Sequence, residues 1–244
     1  MNAGPRREFP LPLRCPPTNV LTVQDCRLKL PKIVLTGGIA MYILYARAGT
    51  GSIAPHIILE EIGAPHRVEW VSREDATRPD YLKLNPTGKV PTLRLPDGRL
   101  IFESAAMVIH LTSTHPSAGL APPVGTSDSA LFLQWMVFLS ANVYETMLRI
   151  YYPHRYSTGG EADAPSVKAK AIDDVMRHFG VIEADLSPFL IGAQVSAADI
   201  YLYMLATWCP PSIEEVYRRF PKIKAACLAV AARPSVVKIM AMNH

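Results

Sequence analysis

The sequence predicts an α/β layer followed by an all-helical region. Three observations carry that prediction. Between residues 41 and 116, short apolar strand patterns alternate with helical ones in the order β-α-β-α-β-β-α. The stretch 117–126, with Pro122-Pro123 and Gly119 and Gly125, then breaks all periodicity. Beyond it, over 127–244, every periodic segment repeats at helical spacing.

Each element has its own local reason. Tyr42-Ile43-Leu44-Tyr45 is a short apolar strand, and a loop of small residues follows, Ala48-Gly49-Thr50-Gly51-Ser52. Ala54, Ile57, Ile58 and Ile62 then fall on one helical stripe, with Gly63 as its stop. Arg67-Val68-Glu69-Trp70-Val71 is a second strand, and 72–88 a loop with one helical turn near Tyr81. Residues 92–95 and 99–102 form a hairpin across Asp97-Gly98. Ser104 is expected to cap a helix that buries Ala105, Val108 and Ile109. Past the linker, Ser127 or Asp128 is expected to cap a long helix reaching about residue 152. It carries Leu131, Trp135, Phe138, Leu139, Tyr144 and Met147. Ile172, Val175, Met176, Phe179 and Ile182 mark the next helix, and two more follow Gln194.

One corner of this layer has a chemical use. Lys89-Val90-Pro91 opens a strand edge, and Glu103-Ser104 opens the helix after the hairpin. A strand edge beside a helix start with an acid and a hydroxyl can hold an extended peptide. Backbone groups pair on the strand side, and the peptide's charged end is clamped on the helix side.

Bulk properties exclude several classes. The net charge of +4 lies in residues 1–40, which carry six basic side chains against Glu8 and Asp25, so the remainder is neutral. That argues against a nucleic-acid-binding body, which needs a basic stripe. No apolar run approaches the roughly 20 residues of a membrane span. Cys15, Cys26, Cys209 and Cys227 form no Cys-x-x-Cys and no zinc spacing, so no metal is expected and the thiols suit a reducing cytoplasm. Residues 1–40, broken by six prolines, read as a flexible arm or as a start assigned too early, with Met41 the natural beginning.

Ser196-Ala197-Ala198-Asp199 has the form of a capping box, with Val195 and Ile200 placed as a hydrophobic staple. Ser196 and Asp199 are therefore folding residues, not catalytic ones.

Taken together, the glycine-hydroxyl loop into the first helix, Val90-Pro91, Glu103-Ser104, the Ser196 to Asp199 box and the terminal Ala232-Arg233-Pro234-Ser235-Val236 resemble the glutathione S-transferase family. The likeness is nearest to its bacterial, beta-like cytosolic members and covers 41–244. It implies a thioredoxin-like N-terminal domain (41–116), a linker (117–126) and a helical domain (127–244), assembled as a homodimer. It implies glutathione as co-substrate and a small hydrophobic electrophile as second substrate. By the same resemblance, Val90 pairs with the cysteinyl backbone of glutathione and Pro91 is cis. Glu103 accepts from the γ-glutamyl ammonium, Ser104 donates to its carboxylate, and Lys89 meets the glycyl carboxylate.

The thiol must be held as thiolate to attack. A hydroxyl at a helix N-terminus favours that anion. Ser52 is the first choice for this role, Thr50 the second and Tyr45 a third, with backbone N–H groups alone as the remaining possibility. Beta-like members carry a cysteine just before this serine, but here the position is Gly51. Tyr144, Arg149 and Tyr152, with Tyr156, are expected along the second-substrate pocket, and Cys209 is read as structural. Glutathione-dependent peroxidase, dehalogenase or isomerase chemistry is an alternative outcome. A non-catalytic binding protein of the same fold is another.

Overall fold

A computed structural model of the chain describes residues 41–243; the N-terminal arm of the sequence analysis lies outside the described residues. The first layer is a four-stranded sheet in the order β2-β1-β3-β4. Strand β1 (Tyr42–Ala46) leads through helix α1 (Ile53–Glu61) to β2 (His66–Trp70), which lies parallel to it, Tyr42 beside His66. A single helical turn, α2 (Pro79–Leu82), precedes β3 (Thr92–Arg94). Strand β3 runs antiparallel to β1 and pairs with β4 (Leu100–Phe102) across the Asp97-Gly98 turn. Gly98 has φ of +90°, which a side chain would resist. Helix α3 (Ser104–Thr114) closes the layer. This mixed sheet with its flanking helices is the thioredoxin-like arrangement the sequence implies.

Helices fill the rest: α4 (Ser127–Phe138), α5 (Glu145–Tyr151), α6 (Ala164–Asp185), α7 (Ala197–Ala206), α8 (Ile213–Arg219), α9 (Pro221–Ala231) and α10 (Pro234–Ala241). Between α4 and α5, residues Leu139–Tyr144 wind as a π-helix, so the long helix expected from periodicity is continuous but locally widened. One apolar core runs through both regions: Ile57 and Leu59 of α1 and Met107 of α3 belong to the same cluster as Trp135, Phe179 and Tyr201.

Three expectations need correction at this level. Ser104 is the first helical residue of α3, and Glu103 takes the cap position, with no side-chain cap bond. Thr126, not Ser127 or Asp128, caps α4, its hydroxyl accepting from the Ser129 N–H at 3.1 Å. Leu131 is 44% exposed and stands off the core.

The capping box at α7 forms as expected and is buried. The Asp199 carboxylate accepts from the Ser196 N–H at 2.8 Å and its hydroxyl at 2.6 Å. It also accepts from the Leu190 N–H at 2.8 Å, which ties down the loop before the helix.

Candidate active site

Between the sheet layer and the α4 to α5 segment lies a cavity of about 890 Å³. Lys89, Val90, Pro91, Glu103 and Ser104 form part of its wall, together with Thr50, Tyr144, Tyr152 and Tyr156. Residues far apart in sequence thus face one space.

The strand-edge side is built by hydrogen bonds beneath it. The Val90-Pro91 peptide is cis. The Lys89 carbonyl accepts from the Tyr81 phenol and from Asn85 Nδ2, each at 2.8 Å, which fills its lone pairs. Thr92 Oγ1 stands 2.9 Å from the same phenol. Val90 is fixed by its neighbours, yet among the described residues neither its N–H nor its C=O meets a backbone partner. Those two groups are the unpaired edge an extended peptide can complete.

The helix side is strained and primed. Glu103 has φ of +73° and ψ of +108°, and is the only non-glycine with positive φ among the described residues. Such a conformation costs of order 1–3 kcal/mol and persists where surroundings impose it. It holds the Glu103 side chain on the cavity wall at the start of α3. Ser104 Oγ lies 2.7 Å from the Tyr201 phenol oxygen, and both residues are buried. Burial holds the Tyr201 phenol far above the ordinary tyrosine range, so it stays protonated, and either hydroxyl of the pair can donate to the other. With Tyr201 as donor, Ser104 has its own proton available to the cavity. Sequence reasoning missed Tyr201, because an aromatic on a fully buried helix looks like core and nothing local shows its partner at position 104.

The hydroxyl loop is stapled from both ends. The Arg47 guanidinium donates to the Val71 carbonyl at 2.9 Å and the Ser72 carbonyl at 2.6 Å, tying the loop after β1 to the end of β2. Its backbone carbonyl accepts from the Ser52 hydroxyl at 2.8 Å and from the Thr50 hydroxyl at 2.7 Å. The Arg47 N–H donates to Ser52 Oγ at 3.2 Å, and the two hydroxyl oxygens are 2.9 Å apart. Ser52 is 2% exposed and is turned into the loop, off the cavity wall, whereas Thr50 faces the cavity. Thr50, the second choice from sequence, is thus the one of the two on the wall. Tyr45 packs edge-on against Tyr81, ring centroids 6.2 Å apart, and is not on the wall.

Gly51 is glycine for a reason of space. A Cβ there would stand 2.7 Å from the Tyr144 hydroxyl and 3.0 Å from its ring. The phenol of the π-helical segment therefore rests on the loop where beta-like members carry a cysteine side chain. Trp208 backs Tyr144 edge-on, centroids 5.4 Å apart. Burial pushes the Tyr144 phenol up to about 12, with the Gly51 N–H pulling the other way, so it is a proton donor at neutral pH.

Of the expected second-pocket residues, Tyr144, Tyr152 and Tyr156 line the cavity and Arg149 does not. Arg149 is instead bonded to Glu145 at 2.7 Å and faces Asp174 of α6 at 3.7 Å, a structural bridge between α5 and α6. Cys209 and Cys227 are buried off the cavity, and burial pushes both thiols up to about 12, too high for reactivity. Among the described residues, no group of His, Cys, Asp or Glu is arranged to hold a metal ion, and no helix is long and apolar enough to cross a membrane.

Known proteins resemble this chain in both regions. Residues 52–114 match the family model of the glutathione S-transferase N-terminal domain, and residues 138–234 that of the C-terminal domain. The uncharacterized GST-like protein YncG of Escherichia coli (strain K12) is 30% identical over 210 residues, 84% of this chain and 99% of its own length. A glutathione transferase homolog from Sulfitobacter, solved with bound glutathione, superposes with a TM-score of 0.75 at 26% identity, covering 84% of this chain and 99% of its own. The beta class glutathione S-transferase of Sphingomonas chungbukensis gives a TM-score of 0.70 at 28% identity, with 82% and 98% covered.

Proposed function

The chain belongs to the glutathione S-transferase family, and from that premise we propose that it is an active transferase that sets the glutathione thiolate against Thr50 and Tyr144. The observation that carries the reading is the shared wall: one cavity takes in Lys89, Val90, Pro91, Glu103, Ser104, Thr50 and Tyr144. In this reading glutathione lies along Val90 as an added strand. Glu103 accepts from its γ-glutamyl ammonium, Ser104 donates to the adjacent carboxylate, and Lys89 meets the glycyl carboxylate.

Thiol activation then follows from a proton inventory. Ser52 and Thr50 both donate to the Arg47 carbonyl. Ser52 alone can keep that carbonyl satisfied, so the Thr50 proton is free to turn toward sulfur. The Tyr144 phenol supplies a second donor from the opposite side. A free thiol ionises near 8.5, and lowering that by two units corresponds to about 2.7 kcal/mol of preference for the thiolate. In the conjugation step the thiol proton leaves to solvent and a sulfur–carbon bond forms. The leaving group departs with its electron pair. We also read the protein as a cytoplasmic homodimer with a detoxifying role. Leu133 and Val137, one turn apart on α4 and 46% and 59% exposed, favour a covered face.

The test is turnover with chlorodinitrobenzene, alongside calorimetric binding of glutathione. Thr50→Val and Tyr144→Phe are each expected to lower kcat/KM at least tenfold, about 1.4 kcal/mol, and to raise the apparent thiol pKa. Turnover untouched by either change would overturn the hydroxyl assignment. Failure to bind glutathione at millimolar concentration would overturn the whole reading.

A further inference from the structure

The outer half of the cavity is cationic and aromatic. Arg47, Arg73 and Arg155 all line it, and among the described residues none of the three has a carboxylate partner within ion-pair distance. Tyr152 organises two of them: Arg73 Nη2 donates to its hydroxyl at 3.1 Å, and the Arg155 guanidinium lies 4.3 Å from its ring centroid. Burial, then the charge of Arg73, lowers the Arg47 pKa. Of the acids on the same wall, Glu145 is held by Arg149, and Glu103, at the start of α3, is the one the transferase reading gives to the γ-glutamyl ammonium. Arg47 is already held by the Val71 and Ser72 carbonyls, which leaves Arg73 and Arg155 to take an anion, and their planar forks match a carboxylate.

Resting on the transferase reading, we propose that the second substrate is an electrophile bearing a carboxylate on a flat unsaturated or aromatic body. The body stacks among Tyr144, Tyr152 and Tyr156, and the carboxylate is gripped by Arg73 and Arg155. This refines the small hydrophobic electrophile expected from the resemblance. For a chlorodinitrobenzoate the reaction balances as follows. Thiolate sulfur bonds to the ring carbon bearing chlorine, chloride leaves with its electron pair, and the thiol proton has already gone to solvent. The carboxylate takes no part in bond making.

The experiment compares the unreactive dinitrobenzoate with its uncharged carboxamide, at saturating glutathione, by tryptophan-fluorescence quenching. The carboxylate is expected to bind at least tenfold more tightly, with the preference shrinking as salt is raised. Arg73→Gln and Arg155→Gln should each reduce the preference at least fivefold, with both proteins shown folded by circular dichroism. Equal binding of the two probes would overturn the proposal. So would competition between dinitrobenzoate and glutathione, since the guanidiniums would then serve the glycyl carboxylate of glutathione itself. The probes need no turnover, so this test stands apart from the transferase reading. If chlorodinitrobenzoate is not conjugated while dinitrobenzoate binds beside glutathione, the catalytic reading fails and the anion site stands.

Discussion

Glu103 concentrates the conflict between stability and binding in one residue. Its positive φ is where a glycine would be comfortable and an L side chain is not. On the transferase reading, the carboxylate has a use there that offsets its cost. Glu103→Gly is therefore expected to leave the fold intact and to raise stability by up to about 1 kcal/mol, read as a shift of the urea midpoint. The same change should weaken glutathione binding at least tenfold by calorimetry. Loss of stability without loss of affinity would show that the side chain packs and does not bind. Tyr201 and Gly51 make the complementary point. Neither carries a charge or a motif, yet one holds the Ser104 hydroxyl in place and the other makes room for Tyr144. The sequence offered a signal for Gly51, a missing side chain where relatives have cysteine, but not for what fills the space. That answer depends on the π-helical segment, which no local pattern announces.

At the level of elements, α1 and β2 meet through a buried histidine. His56 is 5% exposed, edge-on to His66 with centroids 5.7 Å apart, and 6.4 Å from Trp70. Burial, then the neighbouring His66 charge, lowers its pKa to about 4 from the ordinary 6.5. The unfolded chain thus binds a proton between those values that the folded chain refuses. Stability is complete above about pH 6.5 and falls as pH drops toward 4. The loss from this residue should reach about 2 kcal/mol by pH 4.5. His56→Phe keeps the ring and removes the titration, so its urea midpoint should decline less than wild type over that interval. Parallel declines would rule out His56 as the source. Elements were also where the sequence was most legible. Strand and helix order, the Asp97-Gly98 hairpin and the Ser196 to Asp199 box follow from local periodicity, turn chemistry and capping. Caps missed by one residue at Ser104 and Ser127 because several adjacent hydroxyl or acidic residues can serve, and backbone geometry decides between them. Arg149 lies off the cavity wall, held by Glu145 on its own helix and facing Asp174 on another, a long-range partner that sequence does not show.

At the level of the whole molecule, the two regions are joined by more than apolar contact. Arg233, just before α10, grips Glu61 at the end of α1 with two parallel bonds, Nε to Oε1 at 2.7 Å and Nη2 to Oε2 at 2.5 Å. The Ser235 hydroxyl donates to the same carboxylate, and Lys238 pairs with Glu60 at 2.5 Å. The hydrogen bonds from Arg233 hold the Glu61 carboxyl below its usual range. This gives the terminal Ala-Arg-Pro-Ser-Val run a physical meaning: it clamps the far end of the helix whose near end carries the hydroxyl loop. Truncating Arg233 leaves a mostly buried carboxylate without its counter-charge, which costs more than the pair contributes. Arg233→Ala is expected to lower unfolding free energy by about 3 kcal/mol in urea titration. Arg233→Met with Glu61→Leu should recover most of that loss, since no charge is then stranded. Because α1 positions Thr50 and Gly51, the single variant should also lose kcat/KM at temperatures well below its unfolding midpoint, and the double variant should regain it. A single variant within about 0.5 kcal/mol of wild type would mean that the apolar core alone holds α1 in place.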